Sequence, residues 1–340
     1  MNDHSGPGNP THDSFYPQSK SITKQKKGRL LLFAWVILVL SLMIFPTTCH
    51  ASNGEDLVEA AYTGNLSKVR ALLRKGIDVD AKDSVGATAL MAASETGHEA
   101  IMEILLAKGA KIDRLSKQGA TALMKASQKG HEAIVQTLLA KSAKIDQQHK
   151  SGFTALMIAS QNGHEAIVQT LLAKGAKIDR QNNQGATALI IATQNGYEAI
   201  VQALLAKGAK IDRQDKQGAT ALIIASQNGR EAIVQALLAK GAEIDHQAKN
   251  GVTALMIASQ EGHEVIVQAL LDKGAKIDHQ AKNGATALFL ASLDGHKGIV
   301  KALLAKGAKV NLRDNGGGTA LKYAKTQQIK ELLKVAGATE

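Results

Sequence analysis

The sequence predicts an all-α solenoid, in which short helix pairs stack side by side in one continuous row. The motif Gly-x-Thr-Ala-Leu recurs at constant intervals of 33 residues, and a fixed period of this length is the signature of a repeat architecture. Each unit also contains two stretches whose apolar residues are spaced as in helices. The regular copies of the motif begin at Gly86, Gly119, Gly152, Gly185, Gly218, Gly251 and Gly284.

The unit at 152–184 shows how the sequence specifies each element. Thr154 is suited to cap the N-terminus of a first helix, because its hydroxyl can accept a backbone hydrogen bond. Gly163 ends that helix, since glycine adopts a positive φ without a steric penalty. Gly175 ends the second helix in the same way. The apolar stripe of the second helix consists of Ile167, Val168, Leu171 and Leu172.

A single unit offers too few large aliphatic side chains to offset the conformational entropy lost when 33 residues become ordered. Each unit must therefore bury both of its faces against neighbours, and this requirement predicts one uninterrupted solenoid.

These units resemble the ankyrin repeat, which consists of a turn, two antiparallel helices and an outstretched loop. The resemblance implies an N-capping repeat at 53–85, seven internal repeats at 86–316 and a truncated C-capping repeat at 317–340. The chain departs from the family pattern in two ways. Thr-Ala-Leu replaces the usual Thr-Pro-Leu-His, which predicts slightly softer turns. Ser142 stands where the other units have the helix-ending glycine, which predicts local strain.

The first part of the chain has a different composition. Residues 1–29 are polar and basic at their end, and we expect them to be disordered. Residues 30–45 form an uncharged apolar run, and 46–52 are a possible cleavage region, in which Cys49-His50-Ala51 resembles a cleavage site and Ser52 would be the new first residue. The run is short for a membrane span and long for a signal-peptide core. The preferred interpretation is a cleaved export signal, and an uncleaved signal-anchor helix is the alternative.

The positive charges before this run predict that the N-terminus stays in the cytoplasm. Both interpretations then place the repeats across the membrane. The cleaved form would be exported to the periplasm, the cell surface or the medium, and the uncleaved form would be a single-pass membrane protein. An array behind an export signal resembles bacterial exported or membrane-tethered ankyrin proteins.

Composition and motifs argue against several classes of function. Aromatic residues make up 3% of the chain, which excludes base-stacking platforms and sequence-specific nucleic-acid binding. The single cysteine supports neither a disulfide framework nor a Cys-rich zinc site. No phosphate-binding loop or nucleophile motif is present. We therefore expect a non-enzyme without a cofactor or a metal.

One repeat position carries a row of histidines, which we expect to be structural. Packed helices lie about 8–10 Å apart, so neighbouring members of this row cannot share a metal ion. The carboxylates that recur as Asp146, Asp179 and Asp212 stand about one repeat, or about 10 Å, apart, which is too far for the carboxylate pair of a retaining glycosidase. The histidines are His98, His131, His164, His263 and His296, with Tyr197 and Arg230 in the same position.

The resemblance implies that a monomeric solenoid binds a protein partner with its loop tips and the concave face of its first helices. The tip positions are Lys117, Gln118, Lys150, Asn183, Gln184, Lys216, Gln217, Lys249 and Lys282. The positions at the ends of the first helices are Gln128, Gln161, Gln194, Gln227 and Gln260. The apolar residues on this polar face, and the predicted hot spots, are Leu115, Phe153 and Val252.

Two rows of lysines offer an alternative. One row ends the second helices, and the other follows three residues later, with Glu243 as the exception. Such rows suit an anionic polymer or lipid head groups, although lysine at a helix C-terminus also complements the helix dipole. The rows are Lys108, Lys141, Lys174, Lys207, Lys240, Lys273 and Lys306, and Lys111, Lys144, Lys177, Lys210, Lys276 and Lys309.

Overall fold

A computed structural model describes residues 53–339, which form nine consecutive helix pairs in a solenoid. The only β-structure in this range is an isolated bridge between Lys82 and Thr88. The predicted N-terminal segment (1–29), apolar run (30–45) and cleavage region (46–52) lie outside the described residues. No helix within 53–339 combines the length and the apolar character that a bilayer span requires.

Each pair has a first and a second helix, and a short connection joins them. The first helices are α1 (Asn53–Tyr62), α3 (Ala89–Thr96), α5 (Ala122–Lys129), α7 (Ala155–Asn162), α9 (Ala188–Asn195), α11 (Ala221–Gln227), α13 (Ala254–Glu261), α15 (Ala287–Asp294) and α17 (Ala320–Tyr323). The second helices are α2 (Leu66–Arg74), α4 (Glu99–Ala107), α6 (Glu132–Ala140), α8 (Glu165–Ala173), α10 (Glu198–Ala206), α12 (Glu231–Ala239), α14 (Glu264–Asp272), α16 (Lys297–Ala305) and α18 (Gln327–Val335).

The predicted helix ends in the unit at 152–184 are confirmed. The Thr154 hydroxyl accepts a hydrogen bond from the Met157 N–H at 3.3 Å and so caps α7. Gly163 ends the helix with a φ of 79°, in the left-handed region. Gly175 follows the last residue of α8 with a φ of 83°. Threonine and glycine therefore mark the two ends of α7, and glycine marks the end of α8.

The core runs between neighbouring pairs as well as inside them. First helices pack extensively on the first helices of adjacent repeats, whereas second helices touch their neighbours less. In α7, Leu156, Met157 and Ala159 are buried, and the Ser160 side chain is fully enclosed without a hydrogen-bond partner. Alanine and serine are small enough to let the helices approach closely. The first helices consequently form the buried centre of the solenoid.

Two series of hydrogen bonds tie each inter-repeat loop to the next one. The backbone N–H of Lys150 donates to the Gln118 carbonyl at 2.9 Å, and this bond recurs between the later loop tips. The Asp146 carboxylate accepts the backbone N–H of Lys177 at 2.8 Å. The same carboxylate bond is made by Asp80, Asp113, Asp179, Asp212, Asp245 and Asp278.

The strain predicted at Ser142 is confirmed. Ser142 has a φ of 65° and is the only residue other than glycine with a positive φ within 53–339. Its β-carbon is unfavourable in this region, where glycine has no penalty.

Replacing Ser142 with glycine should therefore raise the free energy of unfolding by about 1 kcal/mol. Chemical denaturation of the wild type and of Ser142→Gly measures this change. Gly175→Ser is the matched reverse substitution and should lower stability by a similar amount. Equal stability of all three proteins would contradict the strain argument.

Candidate functional site

The loop tips present a regular row of polar side chains on a fixed backbone. The tip N–H of Lys216 donates to the Gln184 carbonyl at 2.8 Å, and Lys249 donates to Gln217 at 2.8 Å. The backbone groups are thus used between repeats, while the side chains remain accessible. The exposed members of the predicted tip set are Lys117, Gln118, Lys150, Asn183, Gln184, Lys216, Gln217, Lys249 and Lys282.

The predicted residues at the ends of the first helices form a second series, separate from the tips. Gln128 and Gln194 are exposed, whereas Gln161, Gln227 and Gln260 are half-buried. Among the predicted hot spots, Leu115 is exposed, and Phe153 and Val252 are half-buried. Two of the three apolar candidates therefore offer only part of their side chains to a partner.

The histidine row has a role that the sequence did not reveal. In α8, His164 occupies the N-cap position, and its Nε2–H donates to the Gln128 carbonyl of the preceding repeat at 3.1 Å. The ring also lies over Gly130, where an added β-carbon would come within 2.7 Å of it. The same bond is made by His98, His131, His263 and His296.

The histidine row therefore connects adjacent repeats through hydrogen bonds. It satisfies a carbonyl left free at the end of five first helices, and Tyr197 and Arg230 cover the corresponding glycines where histidine is missing. One signal in the sequence could have indicated this role, because the histidine always follows a glycine that ends a first helix. Within residues 53–339, no group of three His, Cys, Asp or Glu side chains could hold a metal ion.

A third series runs along the loops through glutamine side chains. Gln148 Nε2 donates to the Gly152 carbonyl at 2.8 Å and to the Gln181 carbonyl of the next repeat at 3.2 Å. Gln181 and Gln280 make equivalent pairs of bonds, and Lys82 Nζ donates to the Leu115 carbonyl at 2.8 Å. We call this series the glutamine ladder. Leu115 occupies a ladder position without a polar side chain.

Both lysine rows are exposed along their whole length. Of the thirteen lysines in these rows, only Lys306 forms an ion pair in the described part of the chain, with Asp272 at 2.9 Å. Each second helix from α4 to α14 begins with glutamate, so dipole complementation is present as well. The rows thus remain available to an anionic partner.

Cations also accumulate around one part of the tip row. The pKa of His149 is lowered, first by burial of its ring and then by the positive charges of Lys125 and Lys150. Its Nδ1 lies 2.8 Å from the Ser151 hydroxyl. Burial is the largest cause of this shift, and the charges of Lys125 and Lys150 add to it.

Another concavity lies on the second helices. A groove of about 480 Å³ separates α14 from α16, and Glu264, Val265, Asp272 and Ile299 contribute to its walls. Gly298 has no side chain here, and the Glu264 carboxylate fills the space above it. The groove is open and carries no convergent set of reactive groups.

These features define the class of protein: a solenoid of helix pairs, coupled by periodic hydrogen bonds, with exposed polar side chains on its loops. The sequence profile described as "Ankyrin repeats (3 copies)" matches residues 57–149, 142–215, 210–281 and 266–337. The chain belongs to the ankyrin-repeat family, whose members are typically non-catalytic, and membership indicates a protein–protein interaction scaffold.

A solved structure supports the assignment. The crystal structure of the human ASB11 ankyrin repeat domain is similar to this chain, with a TM-score of 0.59 and 27% sequence identity. The match covers 65% of this chain and 100% of that one. None of the curated proteins matches the chain in sequence.

Removing one histidine of the row should weaken the solenoid. We expect His164→Ala to lower the free energy of unfolding by about 1 kcal/mol, because the Gln128 carbonyl loses its donor. Denaturant titration measures the change. Tyr197→Phe keeps a ring over Gly163 and serves as the control with little expected effect. A His164→Ala protein as stable as the wild type would contradict the coupling role.

His149 should make stability depend on pH. Its pKa in the folded protein is depressed, so the folded state takes up a proton less readily than the unfolded state, and stability is lost as the pH falls. Between about pH 7.5 and 5.5, on either side of the ordinary histidine value, the unfolding midpoint of the wild type should fall further than that of His149→Ala. Alanine occurs at this position in two other repeats, as Ala248 and Ala281. Parallel pH curves for the two proteins would show this expectation to be wrong.

Proposed function

We propose that this chain is an exported, non-catalytic scaffold that holds a protein partner against its loop tips and the concave face of its first helices. The observation that carries the proposal is the use of tip backbone groups for hydrogen bonds between repeats, as in Lys216 to Gln184. The side chains at these positions are exposed, and Asn183 is a member that also donates to the Lys150 carbonyl of the preceding loop at 2.9 Å.

Rigidity is the physical basis of the proposed binding. Because the carboxylate, histidine and tip series hold consecutive loops in register, little order remains to be gained when a partner docks. Contacts can then be spread over several repeats, each contributing modestly. The nearly uniform sequence of the tips suits an extended partner that lies along the row.

The proposed export rests on the apolar run at 30–45 and on the basic residues that precede it. Mass spectrometry of the N-terminus of the protein from its native source would test this proposal. A mature chain that begins near Ser52 supports cleavage, and an intact N-terminus in a membrane fraction supports the single-pass alternative. An intact chain in a soluble cytoplasmic fraction would contradict both.

A second candidate is binding to an anionic polymer or to lipid head groups. It is favoured by the two lysine rows, in which twelve of thirteen members have no ion pair within the described residues. Lysines at a constant period match a ligand whose charges also repeat. Such binding would depend strongly on salt, because it releases counterions.

Two sets of substitutions in the same three repeats distinguish the candidates. The tip set changes Lys216, Lys249 and Lys282 to glutamine, and the helix-end set changes Lys207, Lys240 and Lys273 to glutamine. Both sets remove the same charge from exposed positions.

Crosslinking capture is then compared for the wild type and both sets at low salt and at about 0.5 M salt, where exposed charges are largely screened. The scaffold proposal expects a specific protein that persists in high salt, is lost in the tip set and is kept in the helix-end set. Loss in the helix-end set together with collapse in high salt would overturn it and support the second candidate.

A further inference from the structure

The first two inter-repeat loops carry a pair of exposed aliphatic residues that the other described loops lack. Val85 is 61% exposed and Leu115 is 38% exposed. The two loops lie side by side, because the Lys117 N–H donates to the Val85 carbonyl at 3.1 Å and Lys82 Nζ donates to the Leu115 carbonyl at 2.8 Å. We call these four residues the Val85–Leu115 patch.

The patch stands out because the repeats are otherwise so similar. The position of Val85 is polar in each of the next six units, and the position of Leu115 is glutamine in five. The counterparts of Val85 are Gln118, Ser151, Gln184, Gln217, Asn250 and Asn283, and those of Leu115 are Gln148, Gln181, Gln214, Gln247 and Gln280.

Folding does not account for Leu115. In three other repeats, glutamine at this position donates to two carbonyls, as Gln181 does to Gly185 at 2.7 Å and to Gln214 at 2.9 Å; the other two glutamines are Gln148 and Gln280. Leucine cannot donate, so the ladder is interrupted between Lys82 and Gln148. Leu115 therefore forgoes hydrogen bonds and also exposes apolar surface, and both effects oppose stability.

Exposed lysines surround the patch. Lys82, Lys117 and Lys150 are exposed, and none of them forms an ion pair in the described part of the chain. The nearby Asp83 carboxylate is engaged by the backbone N–H groups of Val85 and Ala87 at 3.0 and 2.7 Å. The cations on these loops are thus available to a negative partner.

Arg114, the other cation beside Leu115, is already paired with Asp80 at 3.3 Å and adds little net charge. On the next loop, burial and then the charges of Lys125 and Lys150 lower the pKa of His149.

From this combination we infer that the Val85–Leu115 patch binds an acidic polypeptide segment with aliphatic side chains, in which Leu, Val or Ile are flanked by Asp or Glu. The aliphatic side chains of the segment pack on Val85 and Leu115, and its carboxylates pair with Lys82, Lys117 and Lys150. A second copy of the chain is disfavoured, because each copy would present the same cations to the other. The inference rests on the proposed function, and it specifies one contact region on the loops and the chemistry of the partner segment that binds there.

The test uses three synthetic peptides and the full chain. The first peptide, about twelve residues long, alternates glutamate with leucine or valine. The second replaces its aliphatic residues with serine, and the third replaces its glutamates with lysine. Fluorescence anisotropy measures the affinity of each peptide for the wild type, for the double variant Val85→Gln/Leu115→Gln and for Val265→Ala.

Val265→Ala is the matched control, because it removes an exposed aliphatic side chain (53% exposed) on a second helix, far along the sequence from the patch. Glutamine at positions 85 and 115 copies residues that other repeats of this chain use at the same places. The double variant should therefore fold. It should unfold at the same or a higher denaturant concentration, since the glutamine introduced by Leu115→Gln can restore the ladder.

We expect the first peptide to bind the wild type and Val265→Ala equally and the double variant about tenfold or more weakly. The lysine peptide should not bind. Equal binding of the first peptide to all three proteins would overturn the inference, and so would equal binding of the serine peptide, which would show a purely electrostatic contact. A wild-type dimer in analytical ultracentrifugation that the double variant abolishes would replace the acidic segment with a second copy.

The outcomes for this patch and for the proposed function are distinguishable. If the crosslinked partner is lost in the tip set but kept in the double variant, the scaffold proposal is supported and the Val85–Leu115 patch is not the binding site of that partner. If capture fails for every protein while the first peptide binds only through the patch, the proposed use of the whole tip row fails and the patch remains.

Discussion

The contact between neighbouring repeats is the interaction on which this structure depends. A helix pair has two faces, and both are apolar or small, so a single pair would leave one of them in water. Stacking buries the first helices almost completely, as Leu156 and Ala159 illustrate. The periodic hydrogen bonds then fix the register, because His164 and Asp146 each satisfy a backbone group of an adjacent repeat. Stability and the regular alignment of the loops therefore arise from the same contacts.

The residues that connect neighbouring repeats differ from those that face solvent, so the solvent-facing residues can vary. Side chains that connect two repeats hardly change from one repeat to the next. Side chains that face solvent can change without loss of the fold. Val85 and Leu115 go further, since Leu115 gives up the hydrogen bonds that Gln148, Gln181 and Gln280 make at the same repeat position. A departure that weakens the fold locally is a better indicator of binding than a polar residue that merely remains exposed.

Much of the fold could be predicted because it is encoded locally. The 33-residue period, the threonine caps and the helix-ending glycines act within a few residues, and the strain at Ser142 followed from one missing glycine. The candidate site was harder to predict. The tip residues lie at exposed loop positions as expected, but Phe153 and Val252 proved half-buried, because burial depends on packing against neighbouring loops.

The sequence by itself determined the repeat, the family resemblance and the helix boundaries, since each follows from periodicity and from the conformational preferences of threonine and glycine. Only the tertiary structure decided what the recurring histidines, aspartates and glutamines do. Their partners lie 31 to 36 residues away, as in His164 with Gln128 and Asp146 with Lys177. Such contacts exist only once two repeats have been stacked in register, and no local pattern records which carbonyl or N–H then falls within reach.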